Sequence, residues 1–247
     1  MGRYEEFSFL YDELMNQVPY EAWLEFIIEQ FKHNDRHIHL VCELGCGTGN
    51  MTVPLAQRGY DMIGIDLSET MLMVAREKSY DANVNILYLL QDMQQFELFG
   101  TVDSIISVCD SLNYVDEQGL KKVFGLVHNY LDVGGLFIFD LNTRYKFEVE
   151  FNNRTFTEVG EDFATIWENS FDSKKGTNDY FLTCFVEEDE VYTRFDEEHT
   201  EFTYPLDNIL KWLNETGLTF VRAYDNYSVS DVSPTTSRIT FVAKKNA

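Results

Sequence analysis

The chain has 247 residues, a formal charge of −23, 45% hydrophobic and 15% aromatic residues, which excludes disorder and leaves ample apolar material for one large core. No apolar run approaches eighteen residues, excluding a spanning helix, and no Lys/Arg run exceeds two, so nucleic acid and anionic membranes are disfavoured as partners. With no secretory leader in Met1-Gly2-Arg3-Tyr4-Glu5-Glu6, a soluble cytoplasmic enzyme is expected, acting on a neutral or cationic small molecule.

In chain order, Trp23, Phe26, Ile27 and Phe31 stand at helical spacing behind Pro19 and predict an amphipathic helix over 20–31. Alternation follows: strand 40–44, helix 49–58, strand 61–65, helix 68–78, strand 84–90, a loop with a short helix, strand 102–108, helix 116–131 and strand 135–140. Such βα repetition predicts a parallel sheet, and the near-continuous apolar runs at 103–108 and 136–139 mark strands covered on both faces. Residues 142–204 break the rhythm with strand-like runs at 163–167 and 180–186. They carry sixteen acidic and six basic residues, net −10, and read as an antiparallel β insertion with Glu187-Glu188-Asp189-Glu190 as a solvated hairpin turn. Helix 205–216 and strands near 218–224 and 238–244 resume the α/β pattern. The expected domains are therefore 1–141 with 205–247, and 142–204 as a cover.

The most informative stretch is Val41-Cys42-Glu43-Leu44-Gly45-Cys46-Gly47-Thr48-Gly49, followed by a second apolar run that ends in Asp66. Glycines after a strand let backbone N–H groups approach a ligand and take positive φ angles. A carboxylate at the tip of the neighbouring strand can accept both hydroxyls of a ribose. Asp66 could instead serve the following helix N-terminus, although Ser68 is the better cap. Cys42, Cys46, Cys109 and Cys184 form no CxxC pair and no Cys/His cluster, so no metal is expected and the thiols read as small packing residues.

With Gln91-Asp92-Met93 after the third strand, the spacing Glu-x-Gly-x-Gly-x-Gly followed by Asp66 resembles the class I S-adenosylmethionine-dependent methyltransferases. The resemblance spans residues 38–145 by motif. It implies a doubly wound, seven-stranded, mostly parallel sheet of Rossmann-like type with an antiparallel final pair, and S-adenosylmethionine as cofactor. It places Glu43, Gly45, Cys46 and Gly47 at the methionine part and Asp66 at the ribose. Leu67, Met71, Asp92 and Met93 fall at the adenine; Asp92 could instead cap a short helix from Met93 onward, and Met71 and Met93 could be core residues, which for Met71 is as good a reading. Cys109 follows the fourth strand at the reaction end. An N-terminal Tyr-Asp pair that covers the cofactor in similar bacterial proteins matches Tyr11 and Asp12, with Tyr4, Tyr20 and Trp23 as further lining candidates.

Methyl transfer from a sulfonium is an in-line displacement that needs alignment, exclusion of water and, for a weak nucleophile, removal of a proton. Asp110, Tyr114 and His199 are the catalytic candidates, with Asn113, Trp167 and Arg194 on the substrate side. The carboxylates beside His199 are expected to favour its charged form. A small-molecule acceptor is the leading reading, and no Asn/Asp-Pro-Pro-Tyr sequence follows strand four. RNA or protein methylation and non-catalytic cofactor binding are the alternatives. A nicotinamide-dependent oxidoreductase is more distant, because Gly45, Gly47 and Gly49 alternate where that class uses Gly-x-Gly-x-x-Gly. Neither the acceptor nor the oligomeric state is legible.

Overall fold

A computed structural model describes residues 10–188 and 191–246. A helical segment at 10–14 precedes α1 (Tyr20–His33). Then come β1 (Leu40–Leu44), α2 (Thr52–Gln57), β2 (Asp61–Asp66), α3 (Glu69–Asp81), β3 (Ile86–Leu90) and β4 (Val102–Ser107). A 3-10 helix (Ser111–Tyr114), α4 (Glu117–Tyr130), β5 (Leu131–Asn142) and a π-helical turn (Lys146–Phe151) lead into four strands, β6 (Thr155–Val159), β7 (Phe163–Asp172), β8 (Thr177–Glu188) and β9 (Val191–Phe202). The chain closes with α5 (Leu206–Glu215), β10 (Leu218–Asp225) and β11 (Arg238–Lys245).

Seven strands form one sheet in the order β10-β11-β5-β4-β1-β2-β3. β1 pairs in parallel with both β2 and β4, whereas β11 runs antiparallel to β5 and β10. The chain winds outward from β1 through β2 to β3, then crosses back to β4 and β5. A crevice consequently opens beyond the carboxyl ends of β1 and β4, where the winding reverses.

Alternate side chains along the strands feed two apolar layers, as period-2 geometry requires of a sheet covered on both faces. Val41, Ile106, Ile138 and Val242 pack with Trp23, Leu24, Ile27 and Phe31 of α1. Cys42, Ile105, Phe137, Phe139 and Phe241 pack with Val123 and Phe124 of α4 and with Ile209 and Trp212 of α5. The Phe137, Phe139 and Phe241 rings stack at 4.5 and 4.8 Å, and burying each contributes about 2–3 kcal/mol. Ser68 caps α3 by accepting the Met71 N–H at 3.3 Å, and Asp116 caps α4 by accepting that of Gly119 at 2.8 Å.

Two elements differ from expectation. No short helix forms after β3. The Asp92 carboxylate takes the Gln94 N–H at 2.8 Å and the Gln91 amide oxygen takes that of Glu97 at 2.7 Å, so side chains satisfy donors that a helix would have used. β5 is longer than its apolar run, because Leu131 already pairs with Val102 and the Asn142 N–H is held by Asn113 at 2.9 Å.

The second sheet has the order β6-β7-β8-β9 and is antiparallel throughout. Asp189 and Glu190, the centre of the expected hairpin turn, lie outside the described residues; Glu188 and Val191 on either side pair. The register sets Asn169, Tyr180 and His199 in one row, Trp167, Leu182 and Glu197 in the next, and Thr165, Cys184 and Phe195 beyond. This face turns inward, since Cys184, Phe195 and Phe163 pack with Leu10 and Leu14 of the N-terminal segment.

Candidate active site

The glycine turn is folded onto the tip of β2. The N–H groups of Gly45 and Cys46 both donate to the Ile65 carbonyl, at 2.8 and 3.0 Å, and that of Gly47 donates to the Asp66 carboxylate at 2.7 Å. Gly45 has φ +70°, and a Cβ there would stand 2.7 Å from Cβ of Ser111, so the close approach of the 3-10 helix demands glycine. Gly47, at φ +52°, faces the other way, with nothing within 4 Å of where a Cβ would be. Its open side belongs to a pocket lined by Tyr11, Tyr20, Glu43, Gly45, Cys46, Thr48, Cys109 and Ser111, among others.

Asp66 also accepts the Ser68 N–H at 2.9 Å. Burial raises its proton affinity against the pull of these N–H groups. Glu43 lies under the turn, 1% exposed, and accepts the Thr52 hydroxyl. Burial pushes this carboxyl up to about 8, opposed by the Thr52 bond and helped by Asp66.

The N-terminal segment is fastened to the same turn. Asp12 accepts from the Thr48 hydroxyl at 2.7 Å and the Asn50 amide at 2.9 Å, and pairs with Lys78 at 2.5 Å. Lys78 in turn reaches Asn50 at 2.6 Å. The adjacent Tyr11 is thereby brought over the pocket, where burial, then Cys109 and Tyr20, raise its hydroxyl well above the ordinary value. Tyr20 also lines the pocket, but Trp23 is buried in the core, stacked 4.5 Å from Tyr227. Tyr4 lies outside the described residues.

Leu67 is 72% exposed at the tip of β2, an apolar surface with no protein cover. Met71 is half-buried in the first turn of α3, and the Met93 methyl would meet a Gly45 Cβ at 3.2 Å. Asp92 is occupied in its turn through one oxygen. Cys109 lines the pocket with its thiol, pushed up to about 12 by burial, then Asp110, so it stays protonated.

Directly after β4, Cys109 and Asp110 adopt φ +57° and +55° in succession, backbone geometry that costs on the order of 1–3 kcal/mol per residue. Asp140 accepts the Asp110 N–H at 2.8 Å, and Arg238 donates to both carboxylates, at 2.6 Å to Asp110. Burial alone would raise Asp110, but Arg238 holds it below the usual carboxylate range. An ionised, ion-paired carboxylate is a weak proton acceptor, so the geometry makes Asp110 an anchor. Asn113 is fully buried, its amide bonded to the Asn142 N–H and carbonyl and to the Phe202 carbonyl. It frames the site without reaching into it.

Tyr114 is 42% exposed although its hydroxyl lies 2.6 Å from that of Tyr180 and burial drives it well above its ordinary value. Part of the ring is therefore open to solvent while its hydroxyl is crowded by that of Tyr180. His199 stands edge-on to Tyr114 at 5.6 Å and tilted against Tyr180 at 4.9 Å. Its pKa is lowered by burial, the reverse of the expected carboxylate effect: desolvation outweighs Glu197, which is 3.7 Å away. Trp167 shares this inner face, 5.8 Å from Tyr180. Arg194 does not; it projects from the outer face and pairs with Asp196 at 2.9 Å. Sequence reasoning missed Glu201, a 3% exposed carboxyl on the inner side of β9. In a chain with 42 acidic residues, only strand register distinguishes it.

An S-adenosylmethionine-dependent methyltransferase from Clostridium acetobutylicum ATCC 824 has a crystal structure that matches 100% of both chains at TM-score 0.90 and 34% identity. The chain belongs to the S-adenosylmethionine-dependent methyltransferases. Residues 41–135 of this methyltransferase match the family model described as a methyltransferase domain. Two proteins carrying the name "putative methyltransferase" are similar over 245 residues. That of Geobacillus sp. (strain WCH70) is 36% identical, covering 98% of this chain and 99% of its own. That of Bacillus subtilis (strain 168) is 32% identical, with 98% and 97% covered.

The cofactor is S-adenosylmethionine, and the residues fit it: Gly47 leaves space where a Cβ would stand, its N–H is bound by the acid at the tip of β2, and Leu67 beside that acid is exposed. The family assignment does not favour the nicotinamide reading. Among the described residues no group of His, Cys, Asp and Glu could hold a metal ion, and no helix is long and apolar enough to cross a membrane.

Proposed function

We propose that this methyltransferase acts on a small molecule held between the 3-10 helix after β4 and the inner face of the second sheet. In this reading residues 1–141 and 205–247 form the cofactor domain, and 142–204 cover the acceptor. The observation that carries it is Tyr114, 42% exposed yet packed against Tyr180 and His199 from that sheet. Such a crevice, walled by aromatic rings beside a cofactor pocket, suits a small acceptor.

Bound along the glycine turn, S-adenosylmethionine supplies an electrophilic methyl group on a sulfonium. Gly45, Cys46, Gly47 and Glu43 would hold its methionine part and Asp66 its ribose. Leu67, Met71, Asp92 and Met93 would flank the adenine, with Tyr11 and Cys109 closing the reaction end. Tyr114, Trp167 and His199 would orient the acceptor and exclude water. A neutral His199, favoured by burial, could also take a proton from a hydroxyl acceptor. The charge of −23 opposes a polyphosphate acceptor.

The test incubates the purified protein and S-adenosylmethionine with panels of small amines, alcohols and acids, with total RNA, and with unfolded protein. Demethylated cofactor should form with a small molecule alone. Methyl label appearing in RNA or protein instead would overturn the reading.

A further inference from the structure

Two acidic side chains join the second sheet to the segment that follows β4. Glu201, 3% exposed near the end of β9, shares a side-chain hydrogen bond with Asp110. Two carboxyls in such contact cannot both be ionised, so one carries the proton. Arg238 decides which. It donates to Asp110 at 2.6 Å and keeps that carboxyl ionised, whereas among the described residues no Lys, Arg or His forms an ion pair with Glu201. Glu201 is therefore the donor and Asp110 the acceptor.

The groups around Glu201 come from every element packed against it. Asp110 follows β4, Tyr114 lies on the 3-10 helix, Lys146 on the π-helical turn and Tyr180 on β8. The Asn142 amide donates to Glu201 at 3.5 Å, and Lys146 donates to Asn142 at 2.9 Å. Burial, then Asp110, push the Glu201 carboxyl up to about 8, opposed by Lys146. It holds its proton at neutral pH. Asp110 also has φ +55°, a conformation that persists only where its surroundings over-determine it, and Arg238, Asp140 and Glu201 all grip this residue.

We infer that Glu201 is a positioning residue whose proton fastens the second sheet to the main fold beside the acceptor: as a carboxylic acid it donates to Asp110, and as a carboxylate it is repelled. This rests on the proposed reading of residues 142–204 as a cover. Tyr114 stands four residues after Asp110 and His199 two before Glu201, so the tie sets the spacing of the rings that would orient the acceptor. Asn113 still holds the adjacent Phe202 carbonyl at 2.8 Å, and release would tilt the sheet about that join. Fastened, the carboxyl titrates at about 8; released into solvent it titrates near 4.3, roughly the ordinary glutamate value. The proton-bound tie is thus complete below about pH 4 and is lost as pH climbs through about 8, the ratio of fastened to released protein falling up to about fiftyfold between pH 6 and pH 8.

The experiment compares wild type with Glu201→Gln, whose amide N–H can donate to Asp110 without titrating, both saturated with demethylated cofactor. Hydrogen exchange is followed at the amides of residues 110–114 and 199–204, on the two sides of the tie, at about pH 6 and pH 8. Protection there should fall at least tenfold more in the wild type than in the variant, which shares the intrinsic rise in exchange and the titration of Glu43. A residue that merely packs would leave the two proteins parallel, and that result would overturn the inference. Carbon-13 NMR of the Glu201 carboxyl in the wild type needs no variant and should place its titration at about 8; titration in the ordinary glutamate range would also overturn it. Neither readout needs an acceptor, so their failure counts against the tie alone, while a tie that holds in a protein methylating no small molecule would count against the cover reading.

Discussion

Glu43 lies beneath the glycine turn and should make the protein less stable as pH rises. The folded protein holds the Glu43 proton more tightly than the unfolded chain does, its carboxyl moving from 4.5 to about 8 because it is buried. Its stabilising contribution is complete below about pH 4.5 and is lost as pH climbs through about 8, a loss of about 5 kcal/mol at most. Glu43→Gln keeps an oxygen to accept the Thr52 hydroxyl and removes the titration. The variant bears a roughly constant cost of about 1–3 kcal/mol for an amide N–H without an acceptor. Glu201 titrates over the same range in both proteins and cancels in the difference. Urea unfolding at pH 5 and pH 8.5 should show the wild type losing about 2–5 kcal/mol more than the variant across that interval. Parallel losses in the two proteins would refute the reasoning and mean that Glu43 is ionised, with its charge met by solvent.

Asp66→Ala should weaken S-adenosylmethionine by about 1–3 kcal/mol in calorimetry, the scale for lost hydrogen bonds to a charged group; unchanged affinity would remove Asp66 from the site. Asp12→Ala breaks the bonds to Thr48 and Asn50 and the pairing with Lys78, and stopped-flow should show cofactor dissociating about tenfold faster. An unchanged rate would mean that residues 10–14 are no cover. Arg238→Met removes the guanidinium that joins Asp110 and Asp140 and should cost about 3–5 kcal/mol in urea unfolding; a loss below about 1 kcal/mol would show that the two carboxylates share a proton instead.

Elements with their own hydrophobic period were legible in the sequence, because the two apolar layers each take every second strand residue. The glycine turn was legible too, since Gly45 answers a steric demand from Ser111 that few other residues could meet. The reaction end was not. Asp110 looked available until β11 was seen to bring Arg238 to it, across 128 residues of chain. His199 was read from its sequence neighbours, yet strand alternation turns Glu198 to the other face and stacks the imidazole among tyrosines. Trp23 and Tyr20 stand three residues apart on one helix, and only tertiary packing puts one in the pocket and the other in the core.

Asn113 has a consequence of a different kind. One buried amide joins the strand that enters the second sheet, at Asn142, to the strand that leaves it, at Phe202. The two ends of a long excursion are thus pinned side by side by a residue that belongs to the main fold. With the ends held in this way, lengthening the closed loop between them costs little, about 0.6 kcal/mol per doubling. In the reading proposed above, the sheet over the acceptor can vary while its two ends stay joined to the main fold, a way for one cofactor scaffold to acquire new chemical partners while keeping its own architecture.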